Sequence, residues 1–252
     1  MAGHSHSANI KRRKDAVDAK RGKIFSKCAR HIMSAARTGG GDPEANLTLK
    51  YAIERAKAAN MPKDGIQRAI KKGAGEKGGD AFEELVYEGY APGGIALMVA
   101  CLTDNRHRTA PEVKHLFDKR GGSLGTPGSV SFLFEHRSII VVRAGELDED
   151  ALMELALETG ADDVELDEDL ATFLAPATDF LSLKQGLEER GLEFVEAEVG
   201  YVPTNWIEPA SLEDAKKVAR LIEQLEELED VQNVYANADY KPEWADELTS
   251  GN

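Results

Sequence analysis

The side chains with the clearest chemical potential are lysines and arginines near the start of the chain. Between residues 11 and 27, eight residues are basic and two are acidic. Ammonium and guanidinium groups are the side chains that neutralise phosphate oxygens. A cluster of this kind is typical of proteins that bind nucleic acid.

The basic character is confined to one part of the chain. Residues 1–77 contain 18 Lys and Arg against 7 Asp and Glu, a net charge of +11. Residues 78–252 contain 13 and 38, a net charge of −25. Asymmetry of this size indicates a positive field focused on one part of the molecule, and phosphates are its natural target.

The candidate phosphate-binding residues lie on an N-terminal arm and on two predicted helices: Lys11, Arg12, Arg13, Lys14, Lys20, Arg21, Lys23, Lys27, Arg30, Arg37, Lys63, Arg68, Lys71 and Lys72. Phe25 is the one aromatic residue of the arm and first helix, and its helical position is predicted to be buried. We therefore expect recognition of the phosphate backbone and of shape, rather than of base identity.

A secondary contact is predicted farther along the chain. Arg106 and Arg108 lie where a strand leads into a helix, a common place for ligands. The glycine-rich loop 121–129 follows that helix, and successive backbone amides can cradle an anion. A tight turn between helix and strand explains the same glycines and proline, so both interpretations stay open.

The sequence offers no motif of an enzyme in its required context. GAGEKG at 73–78 matches a dinucleotide fingerprint but follows a helix where a strand is needed. GGSLG at 121–125 has the spacing of a nucleophile elbow, but it too follows a helix, where a strand is needed. Cys28 and His31 are one helical turn apart, but no second pair accompanies them, which favours a core cysteine and a surface histidine. We predict a non-enzyme without metal, cofactor or small-molecule substrate.

Bulk properties place the protein in the cytoplasm. The longest apolar run, Ile95–Leu102, has the length of a buried strand and not of a membrane span. The basic start lacks the apolar segment of a secretory signal. Cys28 and Cys101 show no CxxC spacing, so no disulfide framework is indicated. The sequence predicts no membrane partner.

The N-terminal elements form a small helical bundle behind a flexible arm. Residues 1–22 are predicted to be a basic flexible arm, because they lack apolar periodicity. Residues 23–79 are predicted to form a three-helix basic domain. Its second helix should begin at the cap Asp42, and its third should stop at Gly73, where a glycine-rich linker starts.

The remainder is predicted to form two α/β domains, which makes the protein α+β. Residues 136–204 read strand, helix, strand, strand, helix, strand, the ferredoxin-like order. Residues 80–135 and 205–240 supply strands and helices on either side of it. We therefore predict a discontinuous α/β domain into which the ferredoxin-like domain is inserted. A capping box at Thr109 should open the first helix, and Ser129–Phe134 should be a strand.

Several long motifs resemble those of the YebC/PmpR family. They are AGHS and ANIK in the arm, DAKRGKIFSK, GGGDPEAN, KAANMPKD, YEGYAPGGIA, CLTDNRHRT and GGSLGTPGSVSFLF. The likeness is nearly continuous to about residue 135 and looser beyond it. One departure is local: His6 and Ser7 stand where the family usually has Lys and Trp. The missing Trp removes a ring that stacks on bases.

The resemblance implies one helical and two α/β domains in a cytoplasmic protein that is not an enzyme. Family members are described as DNA-binding regulators of transcription, and relatives include the mitochondrial translational activator of cytochrome c oxidase. The alternative is therefore a ribosome-associated RNA-binding translation factor that relieves stalled ribosomes. The sequence shows no recognition helix for a major groove, which favours RNA on physical grounds. It leaves the target and the oligomeric state open.

Overall fold

The computed structural model describes residues 4–75, 82–167 and 169–249, with the backbone alone over residues 4–21. Across these ranges the protein is α+β, as the sequence predicts. A three-helix region is followed by two four-stranded antiparallel sheets with helices, and the second sheet is inserted into the first. No helix within the described ranges is long and apolar enough to cross a membrane.

The N-terminal region consists of α1 (His4–Gly39), α2 (Leu47–Ala58) and α3 (Lys63–Gly75). Helix α1 differs from the predicted flexible arm, because its backbone is helical from His4 without a break. The physical reason is composition: Ala, Lys and Arg favour helix, and Gly22 alone costs only about 1 kcal/mol. The three helices enclose a core that includes Ile32, Leu49 and Ile66.

Two glycines set how closely these helices approach each other. A Cβ at Gly73 would lie 2.4 Å from the Met33 carbonyl oxygen, so α3 packs against the α1 backbone at this point. Helix α3 therefore continues through Gly73 to Gly75, instead of stopping there as predicted. A Cβ at Gly39 would lie 2.6 Å from Asn46 Nδ2, which leaves that position to glycine.

The remaining strands and helices follow in chain order: β1 Glu83–Tyr90, β2 Ala96–Thr103, α4 Arg106–Lys119, β3 Ser123–Leu124, β4 Phe134–Arg143, α5 Glu149–Thr159, β5 Asp163–Asp167, β6 Leu170–Pro176, α6 Phe180–Glu189, β7 Phe194–Pro203, α7 Leu212–Glu227, β8 Val231–Ala236 and α8 Ala245–Thr249. These described elements fall into two compact units. The first unit holds β1–β3, β8, α4 and α7; the second holds α2, α3, β4–β7, α5 and α6.

The first unit is built on the sheet β3-β1-β2-β8. Strands β1 and β2 form an antiparallel hairpin, and β8 pairs antiparallel with β2, so that Leu97 faces Ala236. Helices α4 and α7 bury Phe117 and Leu221 against the sheet in one apolar core. A chain segment from beyond the insertion thus completes this sheet.

The second unit contains the sheet β5-β6-β4-β7, which has the ferredoxin-like strand order. Helices α5 and α6 contribute Leu152, Phe180 and Leu183 to a core shared with Phe173 of β6. Helix α2 belongs to the same unit, and its Tyr51 ring meets Phe180 edge to face with centroids 5.3 Å apart.

Three local predictions were wrong. Helix α2 is capped by Asn46 rather than Asp42, and the Asn46 amide also donates to the carbonyl oxygens of Ala35 and Gly40, both at 2.8 Å. Helix α4 is capped by Asn105 and not by Thr109. Thr109 lies inside the helix, and its hydroxyl donates to the buried carboxylate of Asp230. The predicted strand over 129–134 is a 3-10 turn that leads into β4.

Candidate nucleic-acid interface

Helix α3 presents basic side chains on one face and buries the other. Ile66, Ala69 and Gly73 are buried, and the four cations of the helix are exposed to solvent. These cations are Lys63, Arg68, Lys71 and Lys72. Within the part of the chain that is described, none of the four forms an ion pair. Their charges therefore face solvent.

The basic residues of helix α2, unlike those of α3, form ion pairs with carboxylates. Lys57 contacts Glu54 at 2.7 Å, and Lys50 contacts Glu44 at 3.6 Å. Arg55 reaches the buried carboxylate of Glu198 at 3.0 Å. Since carboxylates already occupy these cations, α2 is a poorer phosphate surface than α3.

The predicted basic stripe on α1 is only partly exposed. Lys23 is exposed, and Lys27, Arg30 and Arg37 are half-buried. All four take part in interactions with other groups. Six of the predicted phosphate-binding residues lie on the N-terminal part of α1, where the structure describes the backbone but not the side chains: Lys11, Arg12, Arg13, Lys14, Lys20 and Arg21. Phe25, which the helical wheel predicted to be buried, is half-buried.

His31 contacts Arg55 instead of a metal. Its Nε2 lies 3.4 Å from Arg55 Nη1, a geometry in which a neutral imidazole accepts a hydrogen bond from the guanidinium. Burial and the Arg55 charge lower the pKa of His31 to about 3, which keeps the ring neutral. Burial also raises the pKa of the Cys28 thiol. The described residues contain no group of three His, Cys, Asp or Glu placed to hold a metal ion.

Arg108 is exposed, but two carboxylates of the first unit hold its guanidinium group. Its Nη2 donates to Asp230 Oδ2 at 2.7 Å and to Asp104 Oδ1 at 3.0 Å. The fully buried hydroxyls of Thr103 and Thr109 lie 3.0 and 2.8 Å from the same Asp230 oxygen. The motif DNRHRT thus closes a buried carboxylate network, and this geometry argues against Arg108 as a phosphate contact.

Arg106 is the first residue of α4, and its side chain is exposed. It forms no ion pair with the described residues, unlike Arg108 two positions later. The predicted secondary contact is therefore reduced to Arg106 at this junction.

The glycine-rich loop does form an anion cradle, but the anion is internal. Glu88 on β1 is buried, and its carboxylate accepts hydrogen bonds from the amides of Gly128 at 2.8 Å, Val130 at 2.7 Å and Ser131 at 2.9 Å. Burial alone would raise the pKa of Glu88, but these three donors outweigh it and hold the pKa below its usual value. The amides are consequently engaged, and an external phosphate would have to displace Glu88.

Sequence reasoning missed the side chains that organise both regions. Glu88 lies in β1, and Asp230 lies in the acidic turn between α7 and β8; neither position gives a local signal of its partners. Asn105 and Asn46 could have been found, since Asn is a preferred helix cap and each precedes a helical pattern. The partners of Asp230 lie more than 100 residues away in the chain.

The fold and the exposed basic helix define an α+β protein with a helical surface suited to an anionic partner. Comparison with known families narrows this class. Residues 5–76 match the model described as the TACO1/YebC protein N-terminal domain, and residues 82–238 match the TACO1/YebC second and third domain. The chain belongs to the TACO1/YebC family.

Individual relatives agree along nearly the whole chain. A protein of Rubrobacter xylanophilus named "Probable transcriptional regulatory protein" is 50% identical over 245 residues, covering 96% of this chain and 97% of its own. A protein of Pelotomaculum thermopropionicum with the same name is 51% identical, covering 94% and 98%. These names describe regulators and not enzymes.

A solved structure supports the architecture. The crystal structure of a conserved hypothetical protein from Aquifex aeolicus is 48% identical and superposes with a TM-score of 0.81. The likeness covers 89% of this chain and 93% of that one.

Proposed function

We propose that the protein is a nucleic-acid-binding regulator of gene expression whose primary phosphate contacts lie on α3. The observation that carries the proposal is the exposed face of four cations, which no described carboxylate neutralises. The names of the relatives support a regulator of transcription, for which duplex DNA is the target. The remaining candidate cations of α1 and of the arm extend the same basic region along the chain.

Phosphate binding has a signature that other kinds of contact lack. Each phosphate that is neutralised on a duplex contributes about −0.9 to the slope of log affinity against log salt. Replacing Lys63, Arg68, Lys71 and Lys72 together with Gln should therefore flatten the slope by roughly 2–4 units. Gln is a comparably good helix former, so α3 should stay folded.

A matched variant separates local contact from overall charge. The control replaces four lysines of α4 and α7 with Gln, which removes the same number of positive charges from other helices: Lys114, Lys119, Lys216 and Lys217. We expect the slope of this control to stay close to that of the wild type. Titrations of the three proteins on one DNA duplex between low and moderate salt give the comparison. Equal slopes for the α3 variant and the wild type would refute the proposal.

A ribosome-associated RNA-binding factor is the second candidate. It is favoured by the composition of the exposed α3 face, where three of the four cations are lysines. Lysine binds phosphate as a point charge and lacks the two parallel donors with which arginine reads a base edge. A lysine-rich face therefore suits recognition of the shape of the backbone. The same titration on an RNA duplex of identical sequence decides: tighter binding to RNA supports this candidate, and tighter binding to DNA supports the first.

A further inference from the structure

One large aromatic side chain stands out from the surface of the first unit. Phe132 is 70% exposed, in the 3-10 turn just before β4. The other large apolar side chains that are exposed within the described ranges are aliphatic: Leu47, Val86, Met153 and Leu157. An exposed phenyl ring carries a cost in water, so its position calls for a physical account.

The backbone around Phe132 is fixed on both sides. Val130 and Phe134 are buried in one apolar cluster, and they anchor the chain two residues before and after the ring. The Leu133 amide donates to the Val130 carbonyl oxygen at 2.9 Å. The Leu133 carbonyl oxygen accepts from the amide of Thr204 at 2.9 Å. Phe132 is therefore held outward by a rigid frame and not by a loose loop.

The Glu88 cradle strengthens this frame. The amides of Val130 and Ser131 that bind the carboxylate immediately precede the ring. Gly125 also donates its amide to the Glu88 carbonyl oxygen at 2.8 Å, and Tyr90 donates its hydroxyl to Ser129 O at 2.9 Å. A ring presented by a fixed backbone loses little conformational entropy on binding, which favours its use as a contact.

The segment that carries the ring has no charged side chain of its own. The stretch from Gly121 to Phe134 contains no Asp, Glu, Lys or Arg, within a part of the chain whose net charge is −25. Gly125 to Gly128 are exposed and carry small side chains or none. A polyanion meets less repulsion here than at the acidic helices, and glycines leave room for a flat group beside the ring.

We propose that Phe132 is a stacking platform for an unpaired nucleobase. The inference rests on the proposed function, since it adds a base contact to a protein whose phosphates are bound elsewhere. Aromatic side chains stack on bases of any identity, whereas a duplex keeps its bases stacked on each other. The site therefore takes single-stranded RNA or DNA, or an unpaired base at a loop or end.

A protein pocket is the competing occupant, but it suits the surface less well. Protein interfaces gather several large side chains around an anchor over an area of roughly 800 Å² per partner. The residues from 121 to 131 offer Gly, Ser, Thr and Pro on their exposed positions, with no second large apolar side chain exposed among them. One exposed ring among small side chains can stack on a single base but offers too few contacts for a protein interface.

The test uses the full chain and a labelled 12-nucleotide strand of mixed sequence, once as DNA and once as RNA. Phe132→Leu keeps an apolar side chain but removes the ring, and Phe132→Trp keeps a ring. We expect Phe132→Leu to weaken single-strand binding by about 5- to 100-fold and Phe132→Trp to retain it. Binding of the matching duplex should change less than twofold. Leu157→Ala, at another exposed apolar position, is the control and should bind as the wild type does.

Each remaining result decides between the two ideas. If the α3 variant binds more weakly but Phe132→Leu binds the single strand as the wild type does, the stacking site is refuted and the proposed function stands. Equal losses for Phe132→Leu and Phe132→Trp also refute stacking. If the wild type binds neither strand nor duplex, both proposals fall. A thermal unfolding curve for each variant verifies that the fold is unchanged.

Discussion

At the scale of single residues, the arginine pair near the start of α4 shows how neighbours with the same side chain differ in role. Arg108 neutralises Asp230, which is 2% exposed, while Arg106 extends toward solvent. The first belongs to the architecture of the first unit, and the second is available to a ligand. Sequence spacing alone treats the two as equivalent.

We therefore expect the two alanine substitutions to differ in their effect on stability. Arg108→Ala leaves a buried carboxylate with two hydroxyl partners and no charge partner, and should lower the free energy of unfolding by about 1–3 kcal/mol. The loss is smaller than for a fully buried ion pair, because the Arg108 side chain is 45% exposed and water screens its charge. Arg106→Ala should change it by less than about 0.5 kcal/mol. Urea unfolding measures both, and equal values would contradict the assignment.

At the scale of elements, the turn from α4 to β4 depends on one carboxylate of β1. Glu88 binds three amides of the loop, so the loop geometry is tied to the ionised state of that side chain. The folded-state pKa is lowered relative to the unfolded chain. Its stabilisation is thus complete above the unfolded pKa of about 4.3, and it is lost as the pH falls through the lower folded value.

Glu88→Gln should remove this dependence. At neutral pH we expect a loss of about 1–3 kcal/mol, because one amide donor would then face an NH₂ group. The difference from the wild type should shrink as the pH falls below about 4, since the wild-type carboxyl is then also neutral. Glu84→Gln, on the same strand and exposed, is the control. Denaturation curves that stay equally separated at all pH values would contradict this account.

At the scale of the whole molecule, the helical region and the inserted sheet share one unit. Arg55 of α2 binds Glu198 of β7, and Lys184 of α6 binds Glu54 of α2 at 2.8 Å. Glu198 and Lys184 are both buried. Helix α2 is therefore attached to β7 and α6 of the same unit by two ion pairs, each with one buried partner.

A double-mutant cycle tests that attachment. Arg55→Met should cost about 1–3 kcal/mol, because it removes the cation that faces the buried Glu198 carboxylate. Glu198→Gln should cost about 1 kcal/mol, because Arg55 is 24% exposed and can be hydrated in its place. The double variant should cost clearly less than the sum of the two. The exposed pair Lys50 and Glu44 provides the comparison, with a coupling of about 0.5 kcal/mol or less. Additive losses for Arg55 and Glu198 would mean that the two regions are not coupled through this pair.

The sequence predicts the fold better than it predicts the contacts. Strand and helix periodicity identified both sheets, the inserted order and the closing strand β8, because alternating and helical apolar patterns are local. The paired state of Arg108 and the occupied cradle at Glu88 depend on contacts across 122 and about 40 residues. No local pattern encodes them. The continuous helix α1 was missed for another reason: a polar helix gives no apolar periodicity to detect.

The pairing of β2 with β8 also has a consequence for the order of events during synthesis. Val99 of β2 faces Val234 of β8, so the first sheet needs residues from both sides of the insertion. The ferredoxin-like sheet is contiguous, from Phe134 to Pro203, and all its strands leave the ribosome earlier than β8. Because domains fold as units while the chain emerges, the inserted sheet can close while the outer one still waits for its last strand. A nascent chain that has left the ribosome as far as residue 205 would hold a finished inner sheet and an unpaired edge on β2.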